Sequence, residues 1–266
     1  MPPRPTHVLY HGNCPDGFGG AWSVRKALGD AVQYIPVEHG APPPALPANA
    51  AVVLIDFAYR RDVMLEMRTA VASLLVLDHH KTAEADLAGL DFAIFDMDRS
   101  GARIAWDHFH PGVTPPALIL HVEDRDLWRH ALPRTREISA ALASYPFDFR
   151  VWDGLDVDSL AAEGSAILRF KDQTVQSILN FARMGTVGGH NVPIVNASTH
   201  LSDIGAALLA RYPDAPFVAA YHDDAAGRRR WSLRSREGFD VGDLARSLGG
   251  GGHARASGFS EDPPAR

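Results

Sequence analysis

An aspartate and two adjacent histidines, Asp78-His79-His80, close the apolar run Ser73-Leu74-Leu75-Val76-Leu77. A carboxylate and two imidazoles at such a point can hold a divalent cation, orient its ligands or touch an anionic substrate. Comparable residues recur at the ends of other apolar runs. "YHGNCPDGFGG" offers His11, Asn13, Cys14 and Asp16, "AVVLID" ends in Asp56, and "ALILHVEDRDLW" carries Asp124 and Asp126. Taken singly, Asp16 reads as a turn residue before Gly17, Asp56 as a helix cap and Asp124 as a solvated charge. Taken together, they are the donors of a multi-ligand site. Mixed oxygen and imidazole ligands suit Mn²⁺, with Mg²⁺, Co²⁺ or Zn²⁺ as alternatives.

The elements that must position these residues alternate between strand-like and helix-like patterns. His7–His11, Val32–Val37, Ala51–Asp56, Ser73–Asp78 and Asp91–Asp96 read as strands. Gly19–Leu28, Arg61–Ala72 and Gly101–Phe109 read as helices. Such alternation predicts crossover units, a mostly parallel sheet and an α/β class. In an open parallel sheet, ligands bind at the carboxyl ends of the strands, where the acidic residues and histidines fall. Thr135–Ser144 and Leu160–Thr186 read as helices, and Gly185, Gly188 and Gly189 mark the expected end of the second. A smaller α/β unit follows. Its strands are Asn191–Ala197, Ala215–His222 and Arg229–Ser235, and its helices lie near Ser202–Arg211 and Val241–Leu248. The expected organisation is a catalytic domain at residues 1–130, a helical connector at 131–186 and a substrate-binding domain at 187–266.

The chain as a whole sets further bounds. Of 266 residues, 46% are hydrophobic and 22% charged, which is ordinary globular composition. No apolar run approaches a membrane span, and the first residues lack a signal-peptide core. A single cysteine, Cys14, excludes an internal disulfide framework and fits a reducing cytoplasm. The net charge is −6: residues 1–186 hold 17 Lys+Arg against 23 Asp+Glu, and residues 187–266 hold 9 against 9. A protein that grips long duplex DNA carries a basic surface, so any phosphate-bearing partner here is expected to be short.

The ordered set "HGNCPDG", "LID", "LDHHKT" and "VEDRDLW", followed far downstream by "GGGGHARASGF", resembles the DHH phosphoesterase superfamily. It most resembles the branch with a DHH-associated C-terminal domain, which includes the nano-RNases. The resemblance implies a metal-dependent phosphoesterase that uses one or two Mn²⁺ ions, with Mg²⁺ or Co²⁺ as alternatives. It further implies Asp16 as a metal ligand, joined by His11, and Asp56 as the carboxylate that bridges two cations. His79 would ligate metal, His80 would contact the scissile phosphate, and Asp78 would support both. Asp124 is the expected fourth-motif ligand, preferred to Asp126 because Trp128 then takes the family's aromatic position.

One departure stands out: many family members carry two aspartates in the first motif, and the earlier place here is Cys14. Cys14 can ligate as a thiolate or pack as a small buried side chain, and packing is the favoured expectation.

In the C-terminal motif, the run Gly249–Gly252 allows backbone N–H groups to approach an anion. Gly251, Gly252, His253 and, in "SLRS", Arg234 would bind the far end of a nucleotide substrate, by the same resemblance. The picture is a cleft with chemistry on the first domain and substrate gripping on the second. Arg99-Ser100-Gly101 reads as an anion site or an ordinary helix cap, and Arg228–Arg230 as a solvated hairpin. The expected substrate is a short oligonucleotide or small nucleotide phosphate, with no long duplex DNA, no membrane partner and a homodimer left open. Two rivals are a pyrophosphatase or polyphosphatase, and a degenerate, non-catalytic nucleotide binder. The C-terminal glycine-histidine motif argues against the first, and intact Asp56 and Asp78-His79-His80 argue against the second.

Overall fold

The structure is a computed structural model that describes residues 4–38 and 40–262. Its first sheet has five parallel strands. These are β1 (His7–His11), β2 (Gln33–Val37), β3 (Ala51–Ile55), β4 (Ser73–Asp78) and β5 (Ala93–Phe95), in the order β2-β1-β3-β4-β5. Central β3 is buried at every position, as a strand covered on both faces must be. Pro36 is tolerated in β2 because that strand lies at the sheet edge, where a missing ladder donor costs least.

Helices cover both faces. α1 (Pro15–Leu28), α4 (Gly101–Phe109) and α5 (Ala117–Asp126) bury Phe18, Trp22, Trp106 and Ile119 on one side. α2 (Arg61–Ala70) and α3 (Lys81–Asp86) lie along the other, where Met64 and Met67 pack with Leu54 and Val76. Helix α1 begins four residues earlier than the apolar pattern suggests. Pro15 opens it and Asp16 stands in its first turn, both start signals that the glycine-rich stretch conceals.

α6 (Thr135–Leu142), α7 (Phe149–Asp153) and the long α8 (Val157–Leu179) follow. Ile138, Leu142, Trp152 and Leu160 join the core beneath α1, so these helices build onto the first unit instead of forming a separate connector. The chain divides into two compact units, residues 1–168 and 169–266, with the division inside α8.

The second unit holds a six-stranded mixed sheet, ordered β10-β11-β9-β8-β7-β6. Its strands are β6 (Arg183–Val187), β7 (His190–Asn196), β8 (Phe217–Asp223), β9 (Arg229–Ser235), β10 (Gly251–Gly252) and β11 (Ala256–Glu261). α9 (Leu201–Arg211) makes the crossover between parallel β7 and β8, and α10 (Val241–Ser247) precedes the glycine run.

The helix expected to reach Thr186 stops at Leu179, and Arg183–Val187 is a strand. Gly188 (φ 55°) and Gly189 (φ 82°) are the two left-handed residues of a tight β6–β7 hairpin, not the end of a helix. Among the described residues, no helix is long and apolar enough to cross a membrane.

Candidate metal centre

In a sheet ordered β2-β1-β3-β4-β5, the direction of winding reverses between β1 and β3, and the crevice at that point is open to ligands. His11 is the last residue of β1, Asp56 follows β3 directly and Asp78 is the last residue of β4. Three neighbouring parallel strands therefore deliver three polar side chains to one edge. Asp56 adopts φ 63°, a left-handed conformation uncommon outside glycine but most accessible to Asp and Asn. Such a strained residue persists only where its surroundings hold it, and such residues cluster at working sites.

Around Asp56 the side chains converge. His79 Nε2 lies 3.2 Å from Asp56 Oδ1, 3.5 Å from Asp126 Oδ2 and 3.6 Å from Asp16 Oδ2. His11 Nδ1 approaches Asp56 Oδ2 at 3.3 Å. His80 Nδ1 donates to Asp78 Oδ1 at 2.7 Å, and the His79 amide donates to the same oxygen at 2.8 Å. Three neighbouring trios follow: Asp16–His79–Asp126, and His11–Cys14–Asp56 and Asp56–Asp78–His80, which share Asp56. Within each, one donor atom per residue lies within 4.8 Å of the others. Asp16, Asp56, Asp78 and His79 are all buried.

So many buried carboxylates require positive charge among them. Burial and the charges of Asp56 and Asp126 push the Asp16 carboxyl well above its usual range. Asp56 goes the other way: burial opposes ionisation, but its contacts with His11 and His79 hold it well below the usual carboxylate value. Burial alone would lower the His79 imidazole, yet Asp56, Asp126 and Asp16 push it up to about 10. The proton on His79 supplies the charge these carboxylates demand, and a divalent cation would displace it. Asp78 Oδ2 is buried and has no hydrogen-bond partner among the described residues. The donor set, the charge imbalance and this spare acceptor fit a divalent metal.

Asp16 is oriented from outside the cluster. Its Oδ2 accepts the Gly101 amide at 2.6 Å and its Oδ1 accepts the Ala102 amide at 3.0 Å. The start of α4 is thus an anion site, as helix N-termini are, and its anion is this internal carboxylate. Ser100 caps the same helix by accepting the Arg103 amide. A Cβ at Gly101 would lie 2.6 Å from the Asp56 Cβ and 3.0 Å from Asp16 Oδ2, so only glycine lets α4 come this close. Sequence reading did not single out Gly101 for the centre. The dipeptide Ser100-Gly101 before a helix was the available signal.

Asp124, the expected fourth-motif ligand, stands outside these trios. Asp124 accepts the amides of Ala131 and Leu132 and the Thr135 hydroxyl, at 2.8, 3.1 and 2.6 Å, and so ties down the loop after α5. Asp126, the last residue of α5, reaches His79 instead. Two residues along a helix lie on different faces, so one aspartate can serve the loop while the other serves the centre. Trp128 (φ 54°) follows, with the Arg125 guanidinium 4.0 Å over its ring. Cys14 is half-buried and belongs to the trio with His11 and Asp56. Burial, then Asp56, Asp126 and Asp16, push its thiol well above the ordinary value.

The substrate-binding residues expected in the second unit share one corner of its sheet. Arg234 on β9 donates to Ser202 Oγ at 2.8 Å, Leu233 O at 2.8 Å and Ser232 Oγ at 3.1 Å. It stands opposite Ala256 of β11. Gly251 and Gly252 form β10 and pair with Gly258 and Ser257, and the His253 amide donates to Ala256 O at 2.8 Å. The run is therefore ordered strand and turn. Gly252 (φ 132°) takes a conformation that a side chain would oppose, and its Cβ would meet Ala256 O at 2.7 Å.

Residues 194–264 match the DHHA1 domain family. An uncharacterised protein of Acanthamoeba polyphaga mimivirus is 31% identical over 284 aligned residues, which cover 95% of this chain and 66% of that protein. The chain thus spans just under two thirds of this curated relative. Two solved structures share the fold at 14% identity. The pGpG-specific phosphodiesterase PggH from Vibrio cholerae aligns over 96% of this chain and 92% of its own, with a TM-score of 0.50. RecJ from Thermus thermophilus, in complex with Mn²⁺, aligns over 96% of this chain and 49% of its own, with a TM-score of 0.53. The parallel N-terminal sheet and the mixed C-terminal sheet thus share the fold of these two structures, and the second unit carries the DHHA1 domain match.

Proposed function

We propose that the protein is a metal-dependent phosphoesterase that hydrolyses phosphoester bonds in short oligonucleotides or small nucleotide phosphates. The observation that carries this reading is the placement of one imidazole, His79, within 3.2–3.6 Å of three carboxylates from three separate stretches of the chain. Asp16, Asp56, His79 and Asp126 would hold the cation, with His11 and Cys14 at its far end. When bound, such a cation, Mn²⁺ by preference and Mg²⁺ or Co²⁺ as alternatives, activates water and neutralises charge on phosphate oxygens.

The remaining work falls to the chain's own residues. Burial opposes a charge on His80, but Asp78 beside it outweighs burial and holds the imidazole above its ordinary value. His80 is thereby kept ready to donate a hydrogen bond to a phosphate oxygen, and Asp78 fixes the ring's orientation. In the second unit, Arg234, Gly251, Gly252 and His253 are proposed to bind the nucleotide away from the reacting bond. The likeness of fold to a pGpG phosphodiesterase supports a substrate of dinucleotide size.

The test is hydrolysis of a 5′-phosphorylated dinucleotide by metal-stripped protein, with Mn²⁺ and with excess chelator. Nucleotide release that requires Mn²⁺ is expected. Release of phosphate from pyrophosphate or polyphosphate, with the dinucleotide left intact, would contradict the reading.

A further inference from the structure

We propose that Cys14 ligates through its sulfur, together with His11 and Asp56. This would make one end of the centre a mixed sulfur–nitrogen–oxygen site for a borderline cation such as Zn²⁺, Co²⁺ or Fe²⁺. The inference rests on reading the cluster as a metal centre, and it concerns which ions that centre takes.

Geometry supplies the first reason. Cys14 Sγ, a ring nitrogen of His11 and a carboxylate oxygen of Asp56 all lie within 4.8 Å of one another, close enough to share one ion after small side-chain rotations. Local backbone supplies the second. Cys14 is the residue before α1, extended at φ −126° and ψ 129°, and its side chain makes no capping bond to the helix. Pro15 fixes the first turn behind it. Apart from the approach of the Gly17 amide, the sulfur has no bond to the helix start among the described residues.

The surroundings supply the third reason. The half-buried Cys14 stands among the carboxylates of Asp56, Asp126 and Asp16, a polar neighbourhood that packing alone does not call for.

Ligand chemistry then divides the centre. Asp16, His79 and Asp126 are hard and borderline donors that suit Mn²⁺ or Mg²⁺. Sulfur beside imidazole and carboxylate favours the softer end of the first-row series. On binding, the S–H bond breaks, the proton passes to solvent and the sulfur electron pair goes to the metal, with no change of oxidation state.

Cobalt reports this directly. Full-length protein is stripped with chelator, dialysed and titrated with Co²⁺, with absorption recorded. Wild type should develop a near-ultraviolet thiolate-to-cobalt charge-transfer band, and Cys14→Ser should bind Co²⁺ without it. In competition titrations, Cys14→Ser should lose roughly tenfold or more in Zn²⁺ affinity, since even an outer-shell partner is worth that much. Its Mn²⁺ affinity should change far less, and Cys14→Asp should raise it.

Bound cobalt with no such band in wild type, or Zn²⁺ affinity unchanged in Cys14→Ser, overturns the proposal while leaving the phosphoesterase reading intact. Failure of wild type to bind any of these ions overturns both. If neither variant folds, the wild-type band alone decides.

Discussion

Gly101 and Asp16, 85 residues apart in the chain, meet through a 2.6 Å hydrogen bond from the amide of one to the carboxylate of the other. This contact joins the start of α4 to the first turn of α1 and aims a buried carboxylate at His79. The absent side chain at Gly101 is the condition for it, because the space a Cβ would fill already holds Asp56 and Asp16.

Gly101→Ala should accordingly destabilise the fold by about 1–3 kcal/mol, the usual range for overpacking a closed site. Mn²⁺ binding should weaken as well, because the displaced groups are the proposed donors. Thermal denaturation and metal titration of the purified variant check both. A variant with wild-type melting and wild-type metal affinity would show that α4 has room to retreat.

Asp124 and Asp126 should separate cleanly. Asp124→Ala leaves two amides and a hydroxyl without their acceptor, a loss on the order of 3 kcal/mol. Its metal affinity, measured below the melting transition, should stay near wild type. Asp126→Asn should instead lose metal affinity while melting no earlier than wild type, since it removes a negative charge beside Asp16 and Asp56. The reversed pattern would restore Asp124 as the ligand.

Arg234→Ala or His253→Ala should raise the KM for a dinucleotide by roughly tenfold or more, as the loss of charge-assisted contacts implies. Hydrolysis of a generic chromogenic phosphodiester that lacks the second nucleotide should change far less. Equal losses on both substrates would move these residues into the chemistry or into folding.

Much of the centre was legible in sequence because apolar strands announce their own ends. His11, Asp56 and Asp78-His79-His80 each follow a run that can only be a buried strand, and a parallel sheet brings such ends together. Asp124 against Asp126 was not legible. The choice depends on which helix face meets the sheet and on a loop at residues 131–135 that uses one carboxylate as its anchor. The role of Gly101 was hidden for the same reason, since close approach between two elements leaves no local pattern. The β6–β7 hairpin was misread because the short apolar run before Gly188-Gly189 suits a helix end as well as a strand. Only pairing partners distinguish the two.

The most direct test of the central claim is the turnover of Asp56→Asn on a 5′-phosphorylated dinucleotide at saturating Mn²⁺. Asparagine suits the left-handed backbone that residue 56 adopts, so the fold and its melting temperature should be kept. The amide removes the negative charge on which His11 and His79 converge and on which cation binding depends. Loss of at least about a thousandfold in kcat, on the scale of removing a principal electrostatic group, is the predicted result. Turnover near the wild-type rate in a folded Asp56→Asn protein would contradict the account.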